Sequence, residues 1–332
     1  MRSWTVRDEV RGPETIDRGE TAELVRQQLE LPGSPPLGIE RTVPVGGPTR
    51  PPVILVHGLA QNRITWRLSR RSFSGFLAAR GYEVLNLELR GHGRSRTLGA
   101  PNATSFHQYV EDLERTIDQV PAPFVIGHSL GGGVGIGASL TRHTLGLVHL
   151  AGVWRFGAHN RTLRALARLT LRLEPQLMRA PVRMSTGWAG ALLGQLYAVT
   201  DVAGYGAPIA GWAPDSIERD LLEERLATGF DWTSVEVWLQ MARWATGHPF
   251  EYAAPFLALD RPLLVIAGDA DPLVTPDDVR DLVDASRSSD KELWVYEPFE
   301  QAVHWGHVDL ILGRYARKLV WPRIAQWLDD RC

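Results

Sequence analysis

Apolar residues along this chain fall into short continuous runs separated by longer stretches with helical spacing. From position 52 onward, Val53-Ile54-Leu55-Val56 is one such run, residues 66–80 carry the 3.6-residue period of a helix, and residues 82–87 read as a second strand. A helix over 105–120, a strand over 124–127, a small-residue helix over 132–140 and a strand over 145–151 follow. The same rhythm returns late in the chain, with a strand over 262–267, a helix over 276–286, a strand over 292–296 and a final helix through Trp327. Strands that are apolar on both faces and alternate with helices predict an α/β fold with a mostly parallel, doubly wound sheet covered on both sides.

Two stretches depart from that rhythm. Residues 1–50 mix charge with Pro and Gly; segments 22–31 and 37–45 suit an antiparallel hairpin, although Leu24, Val25 and Leu29 also fit one helical face. Between Trp154 and Phe250 the alternation gives way to leucine-, arginine- and tryptophan-rich segments broken by Pro175, Pro181, Pro208 and Pro214. The expected organisation is therefore a core in two parts, 1–153 and 251–332, with a helical cap inserted at 154–250.

Composition narrows the function. Over 332 residues, 44% are hydrophobic and 22% charged, which suits a globular protein that buries a large core. A net charge of −2 gives no reason to expect nucleic acid as a partner. The single cysteine, Cys332, excludes an internal disulfide framework and cysteine-based metal sites. The first residues are charged and lack a signal-peptide apolar block, and no run reaches membrane-spanning length, so a cytoplasmic location is expected. The sequence leaves the oligomeric state open.

The chemistry begins at Gly127-His128-Ser129-Leu130-Gly131, directly after an apolar strand and before a small-residue helix. This is the context of a nucleophile elbow, a tight turn that pushes a serine hydroxyl outward toward a helix N-terminus able to stabilise an oxyanion. Serine needs a base, and the base needs a carboxylate to fix its tautomer; in parallel sheets both are sought just after strands. Asp271, in the loop after the 262–267 strand, is preferred to Asp269 because it lies beyond the turn glycine Gly268. Of ten histidines only His304 and His307 follow the last strand; His307, expected at the head of the final helix, is preferred.

The order Ser129, Asp271, His307 matches the α/β-hydrolases. The His57-Gly58-Leu59 turn, the Arg90-Gly91-His92-Gly93-Arg94-Ser95 loop and Gly127 to Gly132 in series resemble that superfamily's core, outside the insertion and the first forty or so residues. The resemblance implies an oxyanion hole from the backbone N–H groups of Leu59 and Leu130, no cofactor, and a small-molecule ester as partner. Gly306-His307-Val308-Asp309 is also similar to a segment of acid lipases and polyhydroxyalkanoate synthases. The latter use cysteine as nucleophile, and dehalogenases use aspartate, so serine at 129 favours ester hydrolysis of apolar substrates. Acyl transfer, perhydrolysis and non-catalytic ligand binding are the alternatives.

Trp154, His57 and His128 are candidate substrate contacts. Six tryptophans, Trp154, Trp188, Trp212, Trp232, Trp238 and Trp244, fall in the insertion, where they can line a pocket or pack the cap onto the core. Within 161–173 arginine recurs every three or four residues along one side, with Leu163, Leu166 and Leu173 toward the other. Such a helix more commonly shows a solvated arginine face than a membrane-contact face, which is the alternative.

Overall fold

The computed structural model describes residues 2–157, 159–179, 184–185, 211–301 and 303–332. At its centre is a nine-stranded sheet: β1 (Thr5–Asp17), β2 (Glu20–Leu31), β3 (Leu37–Pro44), β4 (Pro52–Val56), β5 (Glu83–Glu88), β6 (Phe124–His128), β7 (Gly146–Leu150), β8 (Leu263–Gly268) and β9 (Lys291–Tyr296). Their spatial order is β1-β2-β3-β5-β4-β6-β7-β8-β9. The first three strands and the β3–β5 pair are antiparallel, and the remaining pairs are parallel. The chain runs from β4 outward to β5, then returns to the other side of β4 as β6. That reversal opens a crevice at the carboxyl ends of β4 and β6, where ligands gather in open sheets of this kind.

The strands read as unbroken apolar runs because alternate residues enter different cores. Ile54, Val56, Leu85, Leu87 and Val125 join the layer built with α3 (Phe106–Ile117), α4 (Leu130–Ser139) and α9 (Pro276–Ala285). Their neighbours Val53, Leu55, Val84, Phe124 and Ile126 join the layer built with α1 (Phe73–Ala79) and α10 (Trp321–Asp329), and a short helix, α2 (Gly93–Thr97), follows β5. This is the period-two consequence of a sheet covered on both faces.

Between 154 and 250 lie α5 (Arg161–Arg172), α6 (Glu174–Arg179), α7 (Arg219–Thr228) and α8 (Val235–Ala245). Leu163 and Ala167 of α5 and Val237, Met241 and Trp244 of α8 pack into the first core, while Leu221, Leu222 and Leu226 of α7 pack into the second. Among the described residues no helix is long and apolar enough to cross a membrane.

Three expectations need correction. The first fifty residues form three long strands: the hairpin of β2 and β3 is present, but β1 was not foreseen, because its side chains are mostly exposed and show no apolar alternation. The helix expected over 66–80 starts only at Phe73. Ahead of it Arg67–Leu68 pairs with Arg71–Ser72 in a tight hairpin, and the Ser72 hydroxyl then accepts the Gly75 N–H at 2.9 Å as the helix cap. Finally, α10 begins well after His307, separated from it by the short turns Asp309–Leu312 and Ala316–Leu319.

Candidate active site

Ser129 follows β6 and is the cap residue of α4, at φ 57° and ψ −124°. Non-glycine residues reach that region only at a steric cost, so the surrounding structure must impose it. Two nearby positions need glycine because backbone approaches them closely: a Cβ on Gly127 would overlap the carbonyl of Gly131, and one on Gly131 would overlap the carbonyl of Val56. The Ser129 backbone is held by its N–H to Leu150 O at 3.1 Å and by the Val153 N–H to its carbonyl at 2.9 Å.

Across from the serine, the loop after β9 carries His307 and the loop after β8 carries Asp271. The Nδ1–H of His307 donates to Asp271 Oδ2 at 2.7 Å, and the two side chains are almost wholly buried. Asp271 Oδ1 in turn accepts the N–H groups of Leu273 at 2.8 Å and Val274 at 3.0 Å, which fixes the carboxylate. With Nδ1 committed as a donor, Nε2 of His307 keeps its lone pair. It is buried and makes no hydrogen bond among the described residues. Ser129 and His307 line one cavity of about 130 Å³ without being hydrogen-bonded to each other. The rival pair is elsewhere: Asp269 binds His304 at 2.6 Å and the Trp305 N–H at 2.8 Å, with the His304 side chain 67% exposed.

Leu59 lines the same cavity, and Leu130 opens α4 beside Ser129. No hydrogen bond among the described residues takes up the N–H of either, so both donors are unspent. Gly58 lets the loop after β4 come this close, since a Cβ there would stand 2.9 Å from the Ser129 Cβ and 3.2 Å from the Gln61 amide.

The three expected substrate contacts are not brought to the cavity. Trp154 packs against Phe250 and Phe256 at ring distances of 6.1 and 5.1 Å. His57 is buried, donating from Nδ1 to Gly58 O at 2.9 Å and accepting the Leu89 N–H at Nε2, 3.2 Å away; burial pushes its pKa down to about 4, so it is a neutral brace for two loops. His128, also buried, lies behind His307, with ring centres 4.6 Å apart and its Nε2–H donating to the His307 carbonyl at 3.0 Å. Desolvation, reinforced by the neighbouring His307, holds its pKa well below the usual range.

Phe156, Leu163, Leu166, Trp238 and Met241 supply the cavity wall instead, with Phe230, Thr233 and Leu273. Of the insertion's tryptophans, Trp154, Trp212 and Trp244 are buried in the cores, Trp238 alone of the described rings meets the cavity, and Trp188 and the Trp232 side chain lie outside the described part. The leucine spacing of 161–173 was the only advance signal for Leu163 and Leu166. Among the described residues no cluster of His, Cys, Asp and Glu is arranged to hold a metal ion.

One further buried carboxylate braces the His307 loop. Asp309 accepts the N–H groups of Gly306 at 2.6 Å and Ala213 at 2.8 Å on one oxygen, and the Ser216 hydroxyl at 2.8 Å on the other. It thereby ties the loop bearing His307 to the segment that precedes α7. Burial raises its pKa to about 7 against the lowering effect of these donors.

A model of the alpha/beta hydrolase family matches residues 53–317. Among curated proteins, a probable alcohol acetyltransferase of Saccharomyces cerevisiae is 33% identical over 90 residues, covering 26% of this chain and 25% of that protein. Epoxide hydrolase A of Mycobacterium tuberculosis is 36% identical over 93 residues, covering 27% and 28%. The matched stretch thus spans only about a quarter of the length of these relatives. The monoacylglycerol lipase of Paleococcus ferrophilus superposes with a TM-score of 0.62 at 20% identity, over 89% of this chain and 99% of that one. A soluble variant of the monoglyceride lipase of Saccharomyces cerevisiae gives 0.63 at 18%, over 92% and 94%. These structures share the fold, and the family match runs from β4 to beyond the His307 loop; the chain belongs to the alpha/beta hydrolase family.

Proposed function

We propose that this protein is a serine hydrolase that cleaves carboxylic esters with a compact apolar acyl group, with α5 and α8 of the insertion acting as a cap over its active site. In this reading Ser129 Oγ attacks the ester carbonyl carbon while its proton passes to Nε2 of His307, and Asp271 steadies the resulting imidazolium. The oxyanion sits against the N–H groups of Leu59 and Leu130. The alcohol leaves with the proton from Nε2. Water, deprotonated by the same nitrogen, then attacks the acyl-enzyme and releases the acid. The observation that carries this reading is the strained Ser129 sharing a cavity with an imidazole whose Nδ1 is bound by Asp271 and whose Nε2 is unused. Serine–histidine contacts commonly tighten only when substrate binds.

The cavity of about 130 Å³ is close to the ~150 Å³ void that accommodates a benzene ring. On p-nitrophenyl esters of increasing length, kcat/KM is expected to peak at acyl groups of roughly six carbons or fewer. The central test is labelling with a fluorophosphonate followed by mass spectrometry. Wild type is expected to carry the phosphonate on Ser129; Ser129→Ala should abolish labelling, and His307→Ala should slow it by about a thousandfold or more. Labelling at another residue overturns the assignment.

Transfer of the acyl group to an alcohol in place of water uses the same residues, and the local likeness to a probable alcohol acetyltransferase favours examining it. Product analysis with added alcohol separates the two: a new ester at the expense of free acid identifies the transferase.

A further inference from the structure

The face of α5 turned away from the core differs from the rest of the surface. Among the described residues, ten large hydrophobic side chains are exposed, and four of them, Leu166, Leu169, Leu173 and Met178, fall on α5, its C-cap and α6, at 38, 53, 42 and 52% exposure. Stepping roughly 100° per residue, Leu166, Leu169 and Leu173 lie within roughly 60° of one another, and Arg161, Arg168 and Arg172 within roughly 40°, immediately beside them. The buried side of the helix is a third sector, occupied by Leu163 and Ala167. The arginines therefore flank an exposed leucine stripe instead of standing opposite the leucines as the spacing had suggested. Arg161, Arg168 and Arg172 are exposed and have no ion pair among the described residues, and α5 contains no acidic residue. Leu166 belongs to both features: it is part of the stripe and part of the wall of the cavity that holds Ser129.

We infer that this face docks on an anionic lipid surface, with Leu169, Leu173 and Met178 entering the apolar boundary and the three arginines resting among the headgroup charges. A leucine stripe left in water exposes apolar area that a lipid surface would cover, and unpaired guanidinium groups at its border select negative charge. Because the stripe continues into the cavity wall through Leu166, docking sets the mouth of the site against the bilayer. The inference deepens the esterase reading, on which it rests for what the surface delivers: the substrate is an ester embedded in, or partitioned onto, an anionic membrane.

The test floats full-length protein with vesicles of phosphatidylcholine alone or of phosphatidylcholine with phosphatidylglycerol, at low and high salt. Wild type is expected to float with the anionic vesicles and to be released as salt rises. Leu169→Ser with Leu173→Ser should weaken that partition about tenfold. Arg161→Gln with Arg168→Gln and Arg172→Gln should weaken it about a hundredfold on anionic vesicles while leaving the weak affinity for neutral ones unchanged. Neither variant touches the cavity, so both should cleave a dissolved p-nitrophenyl ester at the wild-type rate. Ser129→Ala should float like wild type. Wild type that stays behind with every vesicle, or variants that partition like wild type, overturn the inference. So does a dimer that the serine double variant turns into a monomer, which would make a second copy the occupant. Wild type that floats but cleaves no ester overturns the esterase reading and leaves the docking face standing.

Discussion

Asp309 shows how much a single buried side chain can be asked to hold. Its two oxygens take three donors from two segments distant in sequence, and one of those segments carries His307. Asp309→Ala would leave the Gly306 and Ala213 N–H groups buried without acceptors, a loss of about 2–4 kcal/mol, and is expected to lower both the unfolding midpoint in urea and kcat. Asn fits the same geometry, its oxygen facing the two N–H groups and its amide donating to Ser216. Asp309→Asn should therefore retain most activity, which steady-state kinetics and a melting curve will check. The sequence marked Asp309 only by its place two residues after a histidine. Ser129 was legible because a strand, a helix and two glycines bracket it locally. The places of His57 and His128 were not legible, because nearness in sequence to the turns at Leu59 and Ser129 says nothing about which side of the turn a ring occupies.

Elements were readable where their period matched their burial. The parallel strands β4 to β8 and helices α3 and α9 fall close to their expected positions, since an all-buried strand is an apolar run and a half-buried helix repeats at 3.6 residues; α4, buried on every side, was legible from its small residues after the Ser129 turn, and the edge strand β9 from its apolar and aromatic run. β1 hid because a long exposed strand of mixed charge has no burial pattern to display; its order comes from its full-length antiparallel pairing with β2. Local end signals decide other boundaries. Thr275 and Asp278 form a reciprocal capping box at the start of α9, directly after the loop that carries Asp271. Thr275→Ala is expected to cost about 1 kcal/mol in thermal or urea unfolding. Gly131→Ala, whose new Cβ would overlap the Val56 carbonyl, should cost at least ~3 kcal/mol and reduce soluble yield, because there the obstacle is backbone and cannot turn aside.

Over the whole molecule, several buried imidazoles make stability depend on pH. Desolvation pushes His57 and His149 down to about 4 and His92 to about 3, and holds His128 well below its usual value. Unfolded, these rings take up protons below about pH 6.5, so the unfolded state binds more protons and stability falls as the solution is acidified from 6.5 toward 4. Asp309 acts in the opposite sense, because a carboxyl raised to about 7 in the folded state favours folding most at low pH and loses that contribution as pH rises to 7. Burial raises Glu88, Asp112, Glu251 and Asp278 in the same sense as Asp309 and offsets part of the loss; with four imidazoles taking up protons on unfolding, Tm is expected to drop by roughly a few degrees between pH 7 and pH 5, and more steeply in Asp309→Asn. A flat profile by differential scanning calorimetry would contradict the burial of those rings. The sequence by itself determined the alternation of strands and helices, the elbow at Ser129 and the order of the three polar residues, because each rests on short-range periodicity or on a turn that few residues can make. Only the tertiary structure decided that Asp271 and His307 pair while Asp269 and His304 pair elsewhere, which side chains wall the cavity, and that Leu166, Leu169 and Leu173 face outward while Leu163 packs inward. Those outcomes depend on contacts between segments far apart in the chain, and local spacing does not encode which of several equivalent partners the folded sheet brings together.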